Sequence, residues 1–205
     1  VNNAGLSAGK PIWEIEPELF REVCFSHLIG TFNCTRAVAP QMKERGHGRI
    51  VNLVSRAGLV GIAGNAAYGA GKGGVFGLTN VVSRDLEPFG VTVNAVNPSA
   101  TDTRMVTEAI DRMRSAGDPA SVKVAEGLSR ALQTPLAVAV VIAALCSDEA
   151  AAVTGEIFYV AGSDVGLFEP LTVRQKLTAP ESWTAETLAE ALAGFEFHSL
   201  DAPYG

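Results

Sequence analysis

The chain is poor in cysteine, poor in positive charge and without a long oily run. Its three cysteines are Cys24, Cys34 and Cys146. An odd, sparse set excludes a disulfide-stapled scaffold and implies buried free thiols in a reducing compartment, the cytoplasm. Cys24 and His27 stand at Cys-x-x-His spacing, but no second pair completes a four-ligand metal site. Basic residues number 16 against 22 acidic ones, for a net charge of −6. No polybasic stripe interrupts that balance, so nucleic acid is not the expected partner. The longest apolar run is LAVAVVIAALC, residues 136–146. A bilayer span needs about 20 apolar residues, so this run reads as a buried helix, and no membrane partner is expected. Repeats and low-complexity tracts are missing too.

What is present is a globular composition. The 205 residues are 47% hydrophobic and 19% charged, enough for one domain with a real core. Strand-like and helix-like stretches alternate. Residues 49–54 (RIVNLV), 91–96 (VTVNAV) and 156–160 (EIFYV) are short, rich in β-branched or aromatic side chains and framed by Gly, Ser or Pro. Helical patterns cover about 17–44, 66–87 and 135–146. Thr134-Pro135 opens the last with an N-cap and a first-turn proline. Strands separated by such helices predict βαβ units and a parallel sheet.

The stretch 101–133 is charged and broken by Gly117-Asp118-Pro119, which predicts two short helices around a turn. It follows the end of a strand directly. In an open α/β sheet ligands bind there, so the segment reads either as a lid or as an ordinary connection. Residues 164–205 lose the alternation and form a tail, with an amphipathic helix over 182–192 and loose final residues.

Within AAYGAGKGGVFGL, residues 66–78, GAGKGG matches the Gly-x-Gly-x-x-Gly dinucleotide fingerprint letter for letter. That fingerprint works only where it leaves a strand and opens a helix, so that backbone can approach a pyrophosphate. Here the preceding strand ends near Val54, well upstream. Lys72 is followed by Gly73, not by Ser or Thr, so a Walker loop is excluded as well. A helix over 65–87 explains the stretch better. It sets Tyr68 and Lys72 one turn apart on one face. A phenol with a pKa near 10 is a poor acid or base at neutral pH, and a nearby ammonium lowers it. The alternative is a small-residue packing face with an incidental Tyr and Lys. Five glycines in this helix, each costing about 1 kcal/mol against alanine, imply close packing against a cofactor, the sheet or another subunit.

Ser55 stands at the end of the strand 49–54, and with it the pattern becomes Ser-x12-Tyr-x3-Lys. This resembles the active-site pattern of the short-chain dehydrogenase/reductase family. Asn2-Asn3-Ala4-Gly5 resembles that family's NNAG motif. Asn97-Pro98 through Thr103 resembles NPG-x-x-x-T, with Ser99 in the glycine place. Val153-Thr154-Gly155-Glu156 resembles the lead into the family's seventh strand. The likeness runs from residue 1 to about 163 in order and spacing.

The resemblance implies a Rossmann-like, doubly wound parallel α/β sheet lacking its first strands, with strands four to seven over 1–163 and a C-terminal tail over 164–205. It implies an NAD(P)-dependent oxidoreductase that moves a hydride between NAD or NADP and a secondary alcohol or ketone. Tyr68 would be the acid/base, Ser55 would hold the substrate oxygen, and Lys72 would tune Tyr68 and bind the nicotinamide ribose. Asn3, Ala4 and Gly5 would line the adenosine side, and Pro98 and Thr103 the carboxamide side. A small-molecule substrate and a homodimer or homotetramer are expected. His27 falls where the family usually has a catalytic Asn. A His there, and Val173-Arg174-Gln175 in the tail, resemble the dehydrogenase part of peroxisomal multifunctional enzymes, which act on 3-hydroxyacyl-CoA. His27 either holds a relay water toward Lys72 or is a satisfied buried histidine. A steroid-like alcohol is the other substrate class in view. Ser99 would be strained if its turn needs positive φ. The family's phosphate-binding half precedes NNAG, so the chain reads as a fragment. A non-catalytic interaction protein on the same scaffold is the competing function.

Overall fold

The computed structural model describes residues 1–169, 171–179 and 181–197. They fall into two compact units, Val1–Phe168 and Glu169–Gly205.

The first unit holds four strands: β1 (Gly48–Leu53), β2 (Val91–Pro98), β3 (Ile157–Ala161) and β4 (Asp164–Leu167). They form one sheet in that order. β1, β2 and β3 run parallel, and β4 returns antiparallel along β3. The return is tight because Gly162 adopts φ 62. All four residues of β4 are exposed, so no apolar alternation marks it in the sequence. At the other edge Asn2 pairs with β1: its N–H donates to the Val51 carbonyl at 2.9 Å, and its carbonyl accepts from Leu53 at 3.1 Å.

Helices fill the connections, as parallel pairing requires. α1 (Pro17–Cys24) runs through one π-helical turn, Phe25–Ile29, into α2 (Gly30–Arg45), and left-handed Gly46 ends it. α3 (Arg56–Leu59) is a single turn after β1, and α4 (Ala66–Leu86) leads toward β2. α5 (Arg104–Ala116) and α6 (Pro119–Arg130) are the pair expected around Gly117-Asp118-Pro119. Gly117 takes φ 74, and the Asp118 carboxylate accepts from Ser121 N–H at 2.9 Å, capping α6. α7 (Pro135–Leu145) returns the chain to β3.

Strand alternation sorts the core into two faces. Ile50, Val91 and Val93 pack on Leu86 of α4. Val51, Leu53, Val96 and Val160 pack on Val138 and Leu145 of α7. α7 is not the buried helix that its composition suggests. Leu136 is 70% and Val140 59% exposed, because only one face of this evenly apolar helix meets the sheet. The thiols differ from expectation as well. Cys34, on the outer side of α2, and Cys146, just past α7, are exposed, and only Cys24 is half-buried. Ser99 carries no strain, since no described non-glycine residue has positive φ.

Four of the five glycines of α4 meet protein, and the fifth, Gly77, faces open space. A Cβ on Gly69 would lie 2.8 Å from the Ala57 carbonyl, and one on Gly73 3.1 Å from that of Gly58. Gly71 faces His27 and Gly74 faces Leu28. Gly69, Gly71, Gly73 and Gly74 therefore serve close approach to α3 and to the π-helical turn.

In the second unit, α8 (Ala185–Leu192) starts with a capping box between Thr184 and Thr187. Gln175 pairs with both backbone groups of Glu196, at 2.8 and 3.0 Å, and Arg174 also donates to the Glu196 carbonyl. The expectation of loose final residues falls on 198–205, outside the described residues. No described helix is long and apolar enough to cross a membrane.

Candidate active site

The carboxyl end of β1 and the start of α4 bring Ser55, Tyr68 and Lys72 together. Ser55 follows β1 in extended conformation and caps α3, accepting from Ala57 N–H at 3.3 Å. Its hydroxyl is close enough to the Tyr68 phenol to favour the ionised form. One turn into α4, Lys72 is buried and donates to the Leu53 carbonyl at 2.6 Å. Its Nζ lies 5.8 Å from the Tyr68 ring centre.

Burial dominates the electrostatics here. It pushes the Lys72 ammonium down to about 8. It pushes the Tyr68 phenol upward, and the nearby Ser55 hydroxyl only pulls it part of the way back. The spacing argument expects Lys72 to lower Tyr68. In this chain the ammonium is held by the Leu53 carbonyl, and desolvation outweighs it. Tyr68 is accordingly protonated at neutral pH and poised as a donor.

His27 completes the group from the π-helical turn. π turns inside α-helices are frequent at functional sites. Its ring is 2% exposed and meets Tyr68 edge to face at 5.1 Å. Nε2 lies 2.7 Å from the Leu6 carbonyl and 3.3 Å from the Leu6 N–H. The shorter contact assigns the Nε2–H tautomer, donating to Leu6. Nδ1 is buried without a partner. Desolvation lowers the imidazole pKa, the Leu6 carbonyl partly restores it, and Lys72 lowers it again, so His27 is neutral.

The other expected residues lie around this cluster. Asn3, Ala4 and Gly5 are exposed. Gly5 lies against the imidazole: a Cβ there would be 2.1 Å from His27 Cε1. Pro98 ends β2, half-buried. Thr103 is exposed at the start of α5 and donates to the Thr101 carbonyl at 3.3 Å, not to the Ser55–Tyr68–Lys72 cluster.

Several contributors carry no sequence signal. The Leu53 carbonyl and the Leu6 backbone belong to ordinary apolar residues. Gln133 reads as a loop residue before Thr-Pro. Its side chain donates to the Val160 carbonyl at 3.0 Å and to Thr101 Oγ1 at 3.2 Å, and accepts from Gly162 N–H at 2.6 Å. Its backbone exchanges bonds with Ala100 and Asp102, each 2.8 Å. These bonds tie both ends of the α5–α6 segment to β3. A cavity of about 620 Å³ opens beside Gln133, lined by Ser99, Thr134 and Tyr159, and none of Ser55, Tyr68 or Lys72 lines it.

The residues present fit the nicotinamide side of a dinucleotide. A phenol and a buried cation share one face at the carboxyl end of a parallel sheet, where such ligands bind. GAGKGG lies within α4 and supplies no phosphate cradle.

A family model described as short chain dehydrogenase matches residues 1–114. The 3-oxoacyl-(acyl-carrier-protein) reductase FabG of Vibrio cholerae is 35% identical over 162 residues, 79% of this chain and 64% of that protein. This chain thus spans under two thirds of that relative's length. A short chain dehydrogenase from Mycobacterium avium superposes with a TM-score of 0.75 at 30% identity, covering 93% of this chain and 61% of the other. The full-length peroxisomal multifunctional enzyme type 2 of Drosophila melanogaster shares the fold, with a TM-score of 0.72 at 23% identity over 94% of this chain and 32% of that one. The Ser-Tyr-Lys cluster stands on a Rossmann-like sheet that both solved structures share, and with the match over residues 1–114 this chain belongs to the short chain dehydrogenase family.

Proposed function

We propose that the protein containing this chain is an NAD- or NADP-dependent oxidoreductase acting on a secondary alcohol or its ketone. The single observation that carries this is the meeting of Ser55, Tyr68 and Lys72 at the carboxyl end of β1, with Ser55 beside the Tyr68 phenol and Lys72 buried one helical turn further on. When bound, the nicotinamide supplies or takes up the hydride. Ser55 donates a hydrogen bond to the substrate oxygen and places it near Tyr68. In ketone reduction the C=O π bond opens, a C–H bond forms, and Tyr68 Oη gives its proton to the oxygen. In alcohol oxidation the same atom takes the proton back.

Lys72 holds the ribose hydroxyls, and leaving the Leu53 carbonyl brings its charge to bear on Tyr68. Asn3, Ala4 and Gly5 run along the adenosine side, and Pro98 and Thr103 flank the carboxamide. His27 keeps the segment after Gly5 in place through Leu6 and offers Nδ1 to a relay water. The substrate class is a 3-oxoacyl or 3-hydroxyacyl thioester. The ketoacyl reductase name of the relative supports it, as does the His27 position. Exposed Phe25, Ile29, Phe32 and Val81 on the outer sides of the α1–α2 rod and α4 suit self-association into a dimer or tetramer.

The test is turnover of acetoacetyl-CoA by the natural protein with NADH or NADPH, followed by loss of reduced-nicotinamide absorbance. Tyr68→Phe is expected to abolish turnover and leave cofactor affinity within about twofold, because only the proton-transfer atom is lost. Full activity in that variant would refute the role of Tyr68. Cofactor binding without turnover of any ketone or alcohol by the unaltered protein would favour an interaction protein.

A further inference from the structure

Three asparagines are buried in the sheet. Asn52 donates to Thr79 Oγ1 at 2.9 Å and accepts from Asn2 Nδ2 at 2.8 Å. Asn94 donates to the Val153 carbonyl at 2.7 Å and accepts from Glu156 N–H at 3.1 Å. Asn97 is 0% exposed, and neither its Nδ2 nor its Oδ1 has a partner. Burying an unpaired amide is costly, and such groups mark function or an internal water.

Its place in the sheet is specific. Asn97 pairs with Tyr159, and Leu53 pairs with Val96, so Asn97 falls beside Val54. Alternation puts its side chain on the face of Ala95 and Ile157, toward α4. Val54 donates its N–H to the Val96 carbonyl at 2.9 Å. In a parallel ladder the Val54 carbonyl should then accept from the N–H of residue 98. Residue 98 is proline and has none. One rung of the ladder is therefore open immediately before Ser55, beside an amide with nothing bound to it. The two features are independent: one belongs to a side chain and the other to the backbone.

We propose that Asn97 is a positioning residue for Ser55. Its Nδ2 donates to one ordered water, and that water donates to the Val54 carbonyl, replacing the rung that Pro98 removes. The bridge fixes the end of β1 from which Ser55 projects. Its effect on turnover rests on the dehydrogenase reading above.

The test pairs crystallography with kinetics on the natural protein, using Asn97→Val and Asn97→Ser. Density for a water within hydrogen-bond reach of Asn97 and the Val54 carbonyl is expected in the unaltered protein and not in the valine variant. The valine variant is expected to lose about tenfold in kcat with the cofactor KM unchanged, while serine, which keeps a donor, stays within about threefold. No water at this place in the unaltered protein overturns the proposal, and so does an unchanged kcat in the valine variant. Should the valine variant fail to fold, the serine variant decides: if its water is lost, a lowered kcat supports the proposal and an unchanged kcat overturns it. A protein that turns over no ketone refutes the dehydrogenase reading instead, and the density at Asn97 still decides the water.

Discussion

Replacing Lys72 with methionine tests the electrostatics of the site directly. Burial takes the Lys72 ammonium from 10.5 down to about 8. An unfolded chain keeps that proton to about pH 10.5, whereas the folded chain releases it near 8. Between those values the unfolded state binds more protons, so stability rises with pH across the window. Below pH 8 both states are protonated and the fold carries the whole penalty. At about 1.4 kcal/mol per factor of ten in proton affinity, that penalty is about 3 kcal/mol. Methionine buries no charge, but it leaves the Leu53 carbonyl without a donor, which costs about 1–2 kcal/mol. Lys72→Met should therefore stabilise the cofactor-free protein at pH 7 by about 1–2 kcal/mol. Near pH 10 the gain should vanish or reverse, because the unaltered protein has by then recovered most of its penalty. Urea unfolding of both proteins at the two pH values measures this. A variant that is less stable by the same amount at both would refute the reasoning, since the ammonium would then be well solvated in the fold.

Other substitutions probe the surroundings. His27→Asn should retain activity within about threefold and raise the unfolding midpoint, since an amide can serve both Leu6 groups and leaves no orphaned Nδ1. A collapse of turnover there would give the imidazole a chemical role beyond holding Leu6 and a water. Gly5→Ala should destabilise by about 1–3 kcal/mol through the clash with His27, and His27→Ala in the same chain should recover most of it; denaturant midpoints of the single and double variants measure the coupling. Gly127→Ala, in α6 with open space around the new methyl, should stabilise by about 0.5–1 kcal/mol, and a lowered melting temperature would count against the helix there.

Much of the fold was legible because local patterns suffice for it. β-branched runs between turn residues located β1, β2 and β3, and Thr134-Pro135 located the start of α7. β4 was not legible, because its residues are all exposed and its order comes from pairing with β3 alone. The reading of α7 as buried failed for a related reason: composition cannot say how many faces of a helix find a partner. At the site, spacing located Tyr68 and Lys72, and the family likeness added Ser55. The direction of the Tyr68 shift was not legible. Burial of the phenol sets it, which spacing along a helix does not report, and the Lys72 ammonium that would oppose it is held by a main-chain carbonyl that leaves no mark on residue identity. The same is true of Leu6 beneath His27.

The clamp at Gln133 isolates the α5–α6 segment from the sheet mechanically. Because both feet of the α5–α6 segment are fastened to the end of β3, whatever lies between them is a closed loop. Lengthening such a loop costs little, about 0.6 kcal/mol per doubling. The two helices can then be exchanged for another pair as a cassette without disturbing the strands beneath. A graft joined inside the clamp should therefore leave β1, α4 and the Ser55, Tyr68 and Lys72 cluster where they are.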